Sequence, residues 1–483
     1  MIMKTHTIAR FACCAALVLA SRFAAAEQND FIAGNASEIN SFLQWKFANT
    51  NSCMVIGLVD EHGSRIFSAG KLDNGTTQEV NGDTVFFIGS VSKTFTTLLL
   101  EDMVERGEMK LDDPVAMYLP KSVKVPTYQG KAITLLDLAT HTSGLPFNPD
   151  NMTGDSAKEQ YEAYTTEKMY AFLSGYSLDR APGTEFGYSN VGMALLGHLM
   201  ALKAGTNFES LVVDRLCRPL RMDSTRITLT PELKARLAMG HDNSGKPSLP
   251  WDFQVYSPAG SIHSTANDLL IYASAHAGLA PSRLASLMEK THLIRFTDSH
   301  GAPEIPGFGV FGHTAMDWVD RAAYQPPGME LLGHAGGSGS YHAFVGFDKK
   351  QRRGVVVLST ANDVSVEAIG WTLLQRLPLN RESANMFAHE LVGLGFAYEL
   401  DKQTQTLRVT KIYSNSPATR AGLSVGYIIQ KIDNVPTIGK SIAEDGVLLR
   451  ANGSPKVRLE LVNPERGKTN TVEVIRGKFL TSG

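Results

Sequence analysis

Four cysteines in 483 residues and a formal net charge of −2 are what this chain has little of, and it has no later apolar run of the roughly eighteen residues a membrane span needs. Near-neutral charge with dispersed Lys and Arg points to neither nucleic acid nor an anionic membrane surface as the main partner. Neither His-Glu-x-x-His nor Cys-x-x-Cys occurs, so no metal is implied and no cofactor is required. Cys13 and Cys14 fall within the first apolar run. The remaining pair, Cys53 and Cys217, reads either as a disulfide or as two buried thiols, and the sequence leaves both open.

What is present starts with a leader. Residues 1–26 carry Lys4 and Arg10, the apolar run 11–20, and three alanines at 24–26 before Glu27. That order is a signal peptide with cleavage expected after Ala26, so the mature chain is expected in the periplasm or secreted. The length suggests two or three domains.

The chemistry centres on residues 86–100. A strand-like apolar run ends at Gly89, and apolar residues then recur at helical spacing through Val104. Ser90 and Lys93 would share the first turn of that helix, with hydroxyl and amine on one face. The helix N-terminus adds partial positive charge and backbone N–H groups where an oxyanion would form. The bland alternative for Ser90 is a helix cap. A second Ser-x-x-Lys, from Ser68 to Lys71, closes an extended run with no helix after it and is set aside.

A helix is expected at residues 39–47, a hairpin of strands at 54–59 and 65–70, and helical composition from about 106 to 243. Strands return at 341–347 and 354–359, before a helix at 369–377. A sheet drawn from both ends of the domain and bracketing a helical middle argues for an α/β (α+β) core with an inserted helical lobe, the cleft between them being the default active site. Thr265 and Asp268 read as a capping pair.

Two clusters add to Ser90 and Lys93. Tyr188 and Asn190 stand two apart just before a helix, and residues 333–337 read Gly-His-Ala-Gly-Gly ahead of the late strands. With residues 133–146, which include His141-Thr-Ser-Gly, they resemble the serine β-lactamase and penicillin-recognising hydrolase superfamily over residues 42–377. The likeness is to its class C branch of β-lactamases, DD-peptidases, D-aminopeptidases and esterases.

That resemblance implies an antiparallel sheet flanked by helices and a role for each motif residue. Ser90 would be the acylated nucleophile and Tyr188 its base as a phenolate. A phenol's pKa of about 10 is lowered by about 1 to 3 units beside a cation, which Lys93 would supply. Asn190 would bond the substrate's amide carbonyl and help to position Lys93. His334, Ala335 and Gly336 would line the substrate, and the N–H groups of Ser90 and Gly337 would form the oxyanion hole. β-Lactamases usually carry Lys-Thr-Gly where this chain has His334-Ala335-Gly336. The exchange replaces a fixed cation by a mostly neutral imidazole and removes a hydroxyl that would bind a substrate carboxylate. Both changes favour peptidase or esterase activity over efficient β-lactam hydrolysis. His141 is read as structural.

From residue 390 the text changes. Residues 391–396 contain Gly-Leu-Gly-Phe, and a Ser-Pro-Ala-x-x-Ala-Gly-Leu turn follows at 416–423, which together resemble a PDZ domain. In such a domain the amides near Leu394, Gly395 and Phe396 would hold a peptide C-terminus; the alternative is a packing module only. Gly422-Leu-Ser424-Val-Gly426 imitates a nucleophile elbow but leads into a strand-like run, and is dismissed. The expected layout is a signal peptide at 1–26, a hydrolase at 30–378, a linker at 379–389 and a PDZ-like domain at 390–478. Three functions follow: an exported acyl-enzyme hydrolase of β-lactams or D-alanyl peptides, an esterase or D-aminopeptidase of the same fold, or a penicillin-acylated or peptide-binding adaptor with little turnover.

Overall fold

The computed structural model describes residues 30–480 apart from 243–244, 298–312, 315–318, 321–327, 381–389, 394–395, 402–405, 413–416, 439–455, 464–466, 468 and 476. The leader, most of the predicted linker, and Leu394 and Gly395 lie outside the described residues.

The chain enters through helix α1 (Phe31–Phe47), where the Asp30 carboxylate accepts the N–H groups of Ile32 and Ala33 at 2.9 Å each. This helix begins at Phe31 rather than at the predicted Ile39, because Phe31 and Asn35 are buried in the fold as well. Strands β1 (Cys53–Asp60) and β2 (Gly63–Gly70) form the expected hairpin, with Cys53 opposite Gly70 and Asp60 opposite Gly63. A short strand, Val85–Phe87, leads through a 3-10 turn, Gly89–Val91, into α2 (Ser92–Glu105). The middle of the chain supplies α3 (Asn190–Ala204) and α4 (Ala266–His276). It then returns as β3 (Leu331–Ser338), β4 (Tyr341–Asp348) and β5 (Arg353–Ser359), and closes on α5 (Val366–Leu374). Residues 333–337 therefore belong to a strand themselves, and α5 spans Val366–Leu374 in place of the predicted 369–377.

The sheet is antiparallel, in the order β2-β1-β5-β4-β3, and three two-residue strands, Val319–Asp320, His313–Thr314 and Phe296–Thr297, extend it beyond β3. Its first and last sequence segments pair at the centre: Met54 faces Ser359 and Val59 faces Gly354. Both faces of β1, β4 and β5 are covered, so these strands are buried almost throughout, and the alternation appears only in which side each residue packs on. Val55, Val345, Val356 and Leu358 join one core with Phe95, Leu98 and Leu99 of α2 and Leu269 of α4. Met54, Ile56, Phe344, Val355 and Val357 join the other with Phe31, Ile39 and Phe42 of α1 and Ile369 and Trp371 of α5. From Ser92 to Met103 every residue of α2 is buried, as expected of a helix held between sheet and helical lobe.

After α5, strands Phe396–Asp401, Thr406–Ile412, Ile428–Ile432, Lys456–Val462 and Thr469–Ile475 make a second sheet, with Val435–Pro436 paired to Ile428–Ile432. Leu407, Val409, Ile429, Leu459, Leu461 and Val474 fill its own core beside the short helix Pro417–Arg420. Glu390–Gly393 pairs with Gly477–Leu480. Phe396 opens a strand, and Ser424 lies ahead of Ile428–Ile432, a strand and not a helix.

Among the described residues no helix is long and apolar enough to cross a membrane.

Candidate functional site

Ser90 sits in the 3-10 turn immediately ahead of α2, one step earlier than the sequence suggested, and remains partly exposed. Lys93, one turn along, is fully buried. Its Nζ donates to Ser90 Oγ at 2.9 Å and to the Ala259 carbonyl at 2.7 Å. A buried amine needs such partners, since an uncompensated charge in the interior is costly.

The Ala259 carbonyl is presented by a segment threaded along α2. The Pro258 carbonyl accepts from Thr96 Oγ1 at 2.7 Å, Ser92 Oγ accepts the Ile262 N–H at 3.0 Å, and the Ile262 carbonyl accepts the Ile88 N–H at 3.0 Å. Sequence reasoning missed this segment. The available signal was Ser92 and Thr96, two hydroxyls on a helix otherwise rich in buried apolar residues, which therefore required partners from elsewhere.

Tyr188 enters from the helical lobe, 6% exposed, with the Lys93 ammonium 4.9 Å from its ring centroid. A cation over an aromatic face is electrostatically attracted, and here the same cation touches the serine. Ser189 caps α3, its Oγ accepting the Gly192 N–H at 2.9 Å and donating to the Pro146 carbonyl at 2.7 Å. Asn190 is the first residue of α3, and its N–H bonds the Phe147 carbonyl at 3.0 Å. The whole stretch around Tyr188 is thus laid onto the loop that carries His141 and Phe147.

Asn190 Nδ2 donates to the Tyr161 hydroxyl at 3.0 Å, and Asn148 bonds the same hydroxyl. Burial pushes the Tyr161 phenol above its usual range, against the lowering effect of the two asparagines, so it stays a neutral hydroxyl. Tyr161 and Asn148 were not singled out from the sequence, because a lone Tyr on a short helix, Ala157–Glu162, carries no pattern.

The opposite wall is β3. Gly89 adopts φ +52°, a left-handed conformation that favours glycine, and a methyl group there would stand 2.6 Å from the Gly337 nitrogen. The turn that carries Ser90 and the strand end that carries Gly337 are therefore in direct backbone contact. His334 is buried and pairs with Val345 across the sheet, while Ala335 pairs with Phe344 and Gly336 with Ala343. The His334 ring turns onto its own strand: Nδ1 donates to the Ala335 carbonyl at 2.6 Å, an oxygen that can only accept.

His141, read from the sequence as structural, lies at this site with its ring 4.4 Å from that of Tyr188. Ser68 lies on β2, where its hydroxyl donates to the Val80 carbonyl at 2.8 Å. Thr265 caps α4 as expected, but the Asp268 carboxylate turns away to the Ser224 N–H and the Thr225 hydroxyl. Cys53 and Cys217 are both free and buried, and burial pushes the Cys53 thiol up to about 12, which keeps it protonated and unreactive. Among the described residues no group of three or more His, Cys, Asp or Glu is placed to hold a metal ion.

Chemically, the arrangement supplies a reachable hydroxyl, a buried amine touching it, a phenol ring against the amine, and backbone N–H groups beside the hydroxyl. Those are the parts an acyl transfer through serine uses.

The beta-lactamase family model matches residues 51–377, and a PDZ-domain model matches residues 408–463. The chain is 31% identical over 214 residues to the D-alanyl-D-alanine-carboxypeptidase/endopeptidase AmpH of Escherichia coli strain K12, a match covering 44% of this chain and only 54% of that relative. It is 25% identical over 337 residues to a beta-lactamase of Pseudomonas fluorescens, covering 65% and 90% of the two chains. Among solved structures, the D-alanine carboxypeptidase AmpC from Burkholderia cenocepacia aligns at a TM-score of 0.56 with 27% identity, over 71% of this chain and 98% of that one. A class C beta-lactamase aligns at 0.60 over 73% and 99%, and at 20% identity speaks for the fold alone. Residues 51–377, two thirds of the sequence, thus place the protein: it belongs to the beta-lactamase family of serine hydrolases, and a PDZ domain follows that fold.

Proposed function

We propose that this chain is an exported serine hydrolase that forms an acyl-enzyme on Ser90, with β-lactams or D-alanyl peptides of the cell-wall type as substrates. The observation that carries this reading is the Lys93 ammonium, fully buried, 2.9 Å from Ser90 Oγ and 4.9 Å from the Tyr188 ring. In this reading Tyr188, as phenolate, takes the Ser90 proton while Oγ attacks the substrate carbonyl carbon. Lys93 stabilises the phenolate by charge. The tetrahedral oxyanion is held by the N–H groups of Ser90 and Gly337, and Asn190 orients the substrate's amide carbonyl. Collapse breaks the amide bond, and the leaving nitrogen takes the proton from Tyr188. Water then attacks the ester by the same route in reverse, restoring the Ser90 hydroxyl.

The relatives support both substrate classes, one being named a carboxypeptidase/endopeptidase and another a beta-lactamase. A second reading, esterase or D-aminopeptidase, is favoured by β3. His334 and Ala335 stand where a β-lactamase has Lys and Thr, and the imidazole Nδ1 is occupied by the Ala335 carbonyl. Residues 1–26 are taken as the export signal, 30–378 as the hydrolase, 379–389 as a linker, and 390–478 as a PDZ unit in which Leu394, Gly395 and Phe396 receive a peptide C-terminus.

Turnover of a penicillin, a D-alanyl-D-alanine peptide and a short acyl ester, by wild type and by Ser90→Ala, tests the reading. Hydrolysis of the first or second by wild type alone supports it. Hydrolysis of the ester only moves the assignment to the second reading, and no turnover by wild type overturns both.

A further inference from the structure

His141 holds φ +58°, a left-handed backbone conformation in which a non-glycine side chain is uncommon, and it is 1% exposed. From there it grips both chain neighbours of Tyr188. Its carbonyl accepts the Gly187 N–H at 2.7 Å, and its ring Nδ1 accepts the Ser189 N–H at 3.1 Å. A nitrogen that accepts carries no proton of its own, so the bond fixes the Nε2-protonated tautomer. The same ring lies 4.4 Å from the Tyr188 ring at a tilt of 33°, while Phe147 covers Tyr188 from another side at 5.9 Å.

We propose that His141 is the positioning residue for Tyr188: by holding residues 187 and 189 and stacking on the ring between them, it sets the height and tilt of the phenol against Lys93. The proposal rests on the acyl-enzyme reading above. A phenol out of place by about 1 Å would slow the reaction on the order of a hundredfold without weakening substrate binding.

Two variants of the full chain separate positioning from folding. His141→Gly accepts the left-handed backbone without strain and keeps the carbonyl bond, but loses the ring acceptor and the stack. His141→Asn also tolerates that backbone, and its Oδ1, as many bonds from Cα as Nδ1, restores the acceptor without the ring. The rate of Ser90 acylation by a fluorescent penicillin, and turnover of p-nitrophenyl acetate, are followed to saturation alongside the melting temperature. The expected result is a maximal rate down by about thirty- to a hundredfold in His141→Gly, a half-saturation point within about twofold of wild type, and recovery of about tenfold in His141→Asn. A folded His141→Gly with the wild-type maximal rate, or a His141→Asn no faster than His141→Gly, overturns the proposal. If His141→Gly does not fold, His141→Asn decides alone: a loss of about three- to tenfold supports positioning through the acceptor with the ring gone, and an unchanged rate or a larger loss overturns it. A wild type inert to both probes removes the acyl-enzyme reading and this one with it, whereas an active wild type with unaffected variants removes only this one.

Discussion

Gly336 faces the Ser90 amide so closely that a methyl group on Gly336 would stand 2.7 Å from the Ser90 nitrogen and 2.2 Å from the Ile88 carbonyl oxygen. Both obstacles are backbone atoms, which cannot swing aside as a side chain can. The approach of β3 to the serine turn thus depends on the absence of a side chain at this position. Gly336→Ala is expected to push strand and turn apart and to lower the acylation rate about a hundredfold or more, the loss usual for one oxyanion donor. At Gly337 the nearest atoms to such a methyl group are 3.3 Å away, so Gly337→Ala is expected to keep the fold. Acylation rates and melting temperatures of the two variants check this; equal rates for wild type and Gly336→Ala would remove β3 from the site.

Lys93 is expected to matter through its charge. Lys93→Met keeps most of the buried stem and removes the ammonium that bonds Ser90 Oγ and the Ala259 carbonyl. Activity should fall by about a hundred- to ten-thousandfold, the range for loss of a general acid–base partner. Folding should survive, because the cost of an unpaired carbonyl, about 1 to 3 kcal/mol, is partly offset by removing a buried charge. Circular dichroism and single-turnover kinetics test the pair of outcomes, and retained turnover in a folded variant would exclude the amine from the chemistry.

Acid should weaken the fold before carboxylate titration does. Burial holds His263 down at about 4 and His292 at about 3, the latter helped by Lys349, and His276 lies well below the usual range through burial, His292 and Lys349. An unfolded imidazole takes its proton near pH 6.5, so between about 6.5 and 4 the unfolded chain binds more protons and stability falls as pH falls. His263 alone contributes about 3 kcal/mol to that loss by pH 4. Asp268 works the other way, since burial raises it to about 6 and the folded state gains its proton first. Burial raises Glu101 as well and lowers His198 and His342, so five imidazoles stand against two carboxyls and the urea midpoint should drop from pH 7 to pH 4. A flat or rising midpoint would show these histidines to be reachable by water.

The parts of this site that were legible in the sequence are those that local spacing fixes. Ser90 and Lys93 lie three apart at a helix start, Tyr188 and Asn190 flank the cap of α3, and the 60–63 turn dictates the β1–β2 hairpin. The start of α1 was not legible, because Gly34, Asn35 and Ser37 interrupt the apolar period and Asn35 is accommodated by donating to the Phe31 carbonyl at 2.7 Å. Nor was the acceptor for Lys93, since Ala259 offers a carbonyl like any other residue and stands 166 positions away. Nor could the sequence show that His141 lies against Tyr188, since that contact depends on a left-handed backbone angle and a ring packing, neither of which leaves a spacing to read.

The chemistry turns on an ester formed at Ser90. The full chain is incubated with a penicillin and, separately, with p-nitrophenyl acetate, quenched in acid, digested and mapped by mass spectrometry, with Ser90→Ala and Ser68→Ala alongside. The expected result is one acyl adduct, on the peptide containing Ser90, absent from Ser90→Ala and unchanged in Ser68→Ala. An adduct that persists in Ser90→Ala, or no adduct with either reagent at any quench time, would rule out Ser90 as the acylated nucleophile.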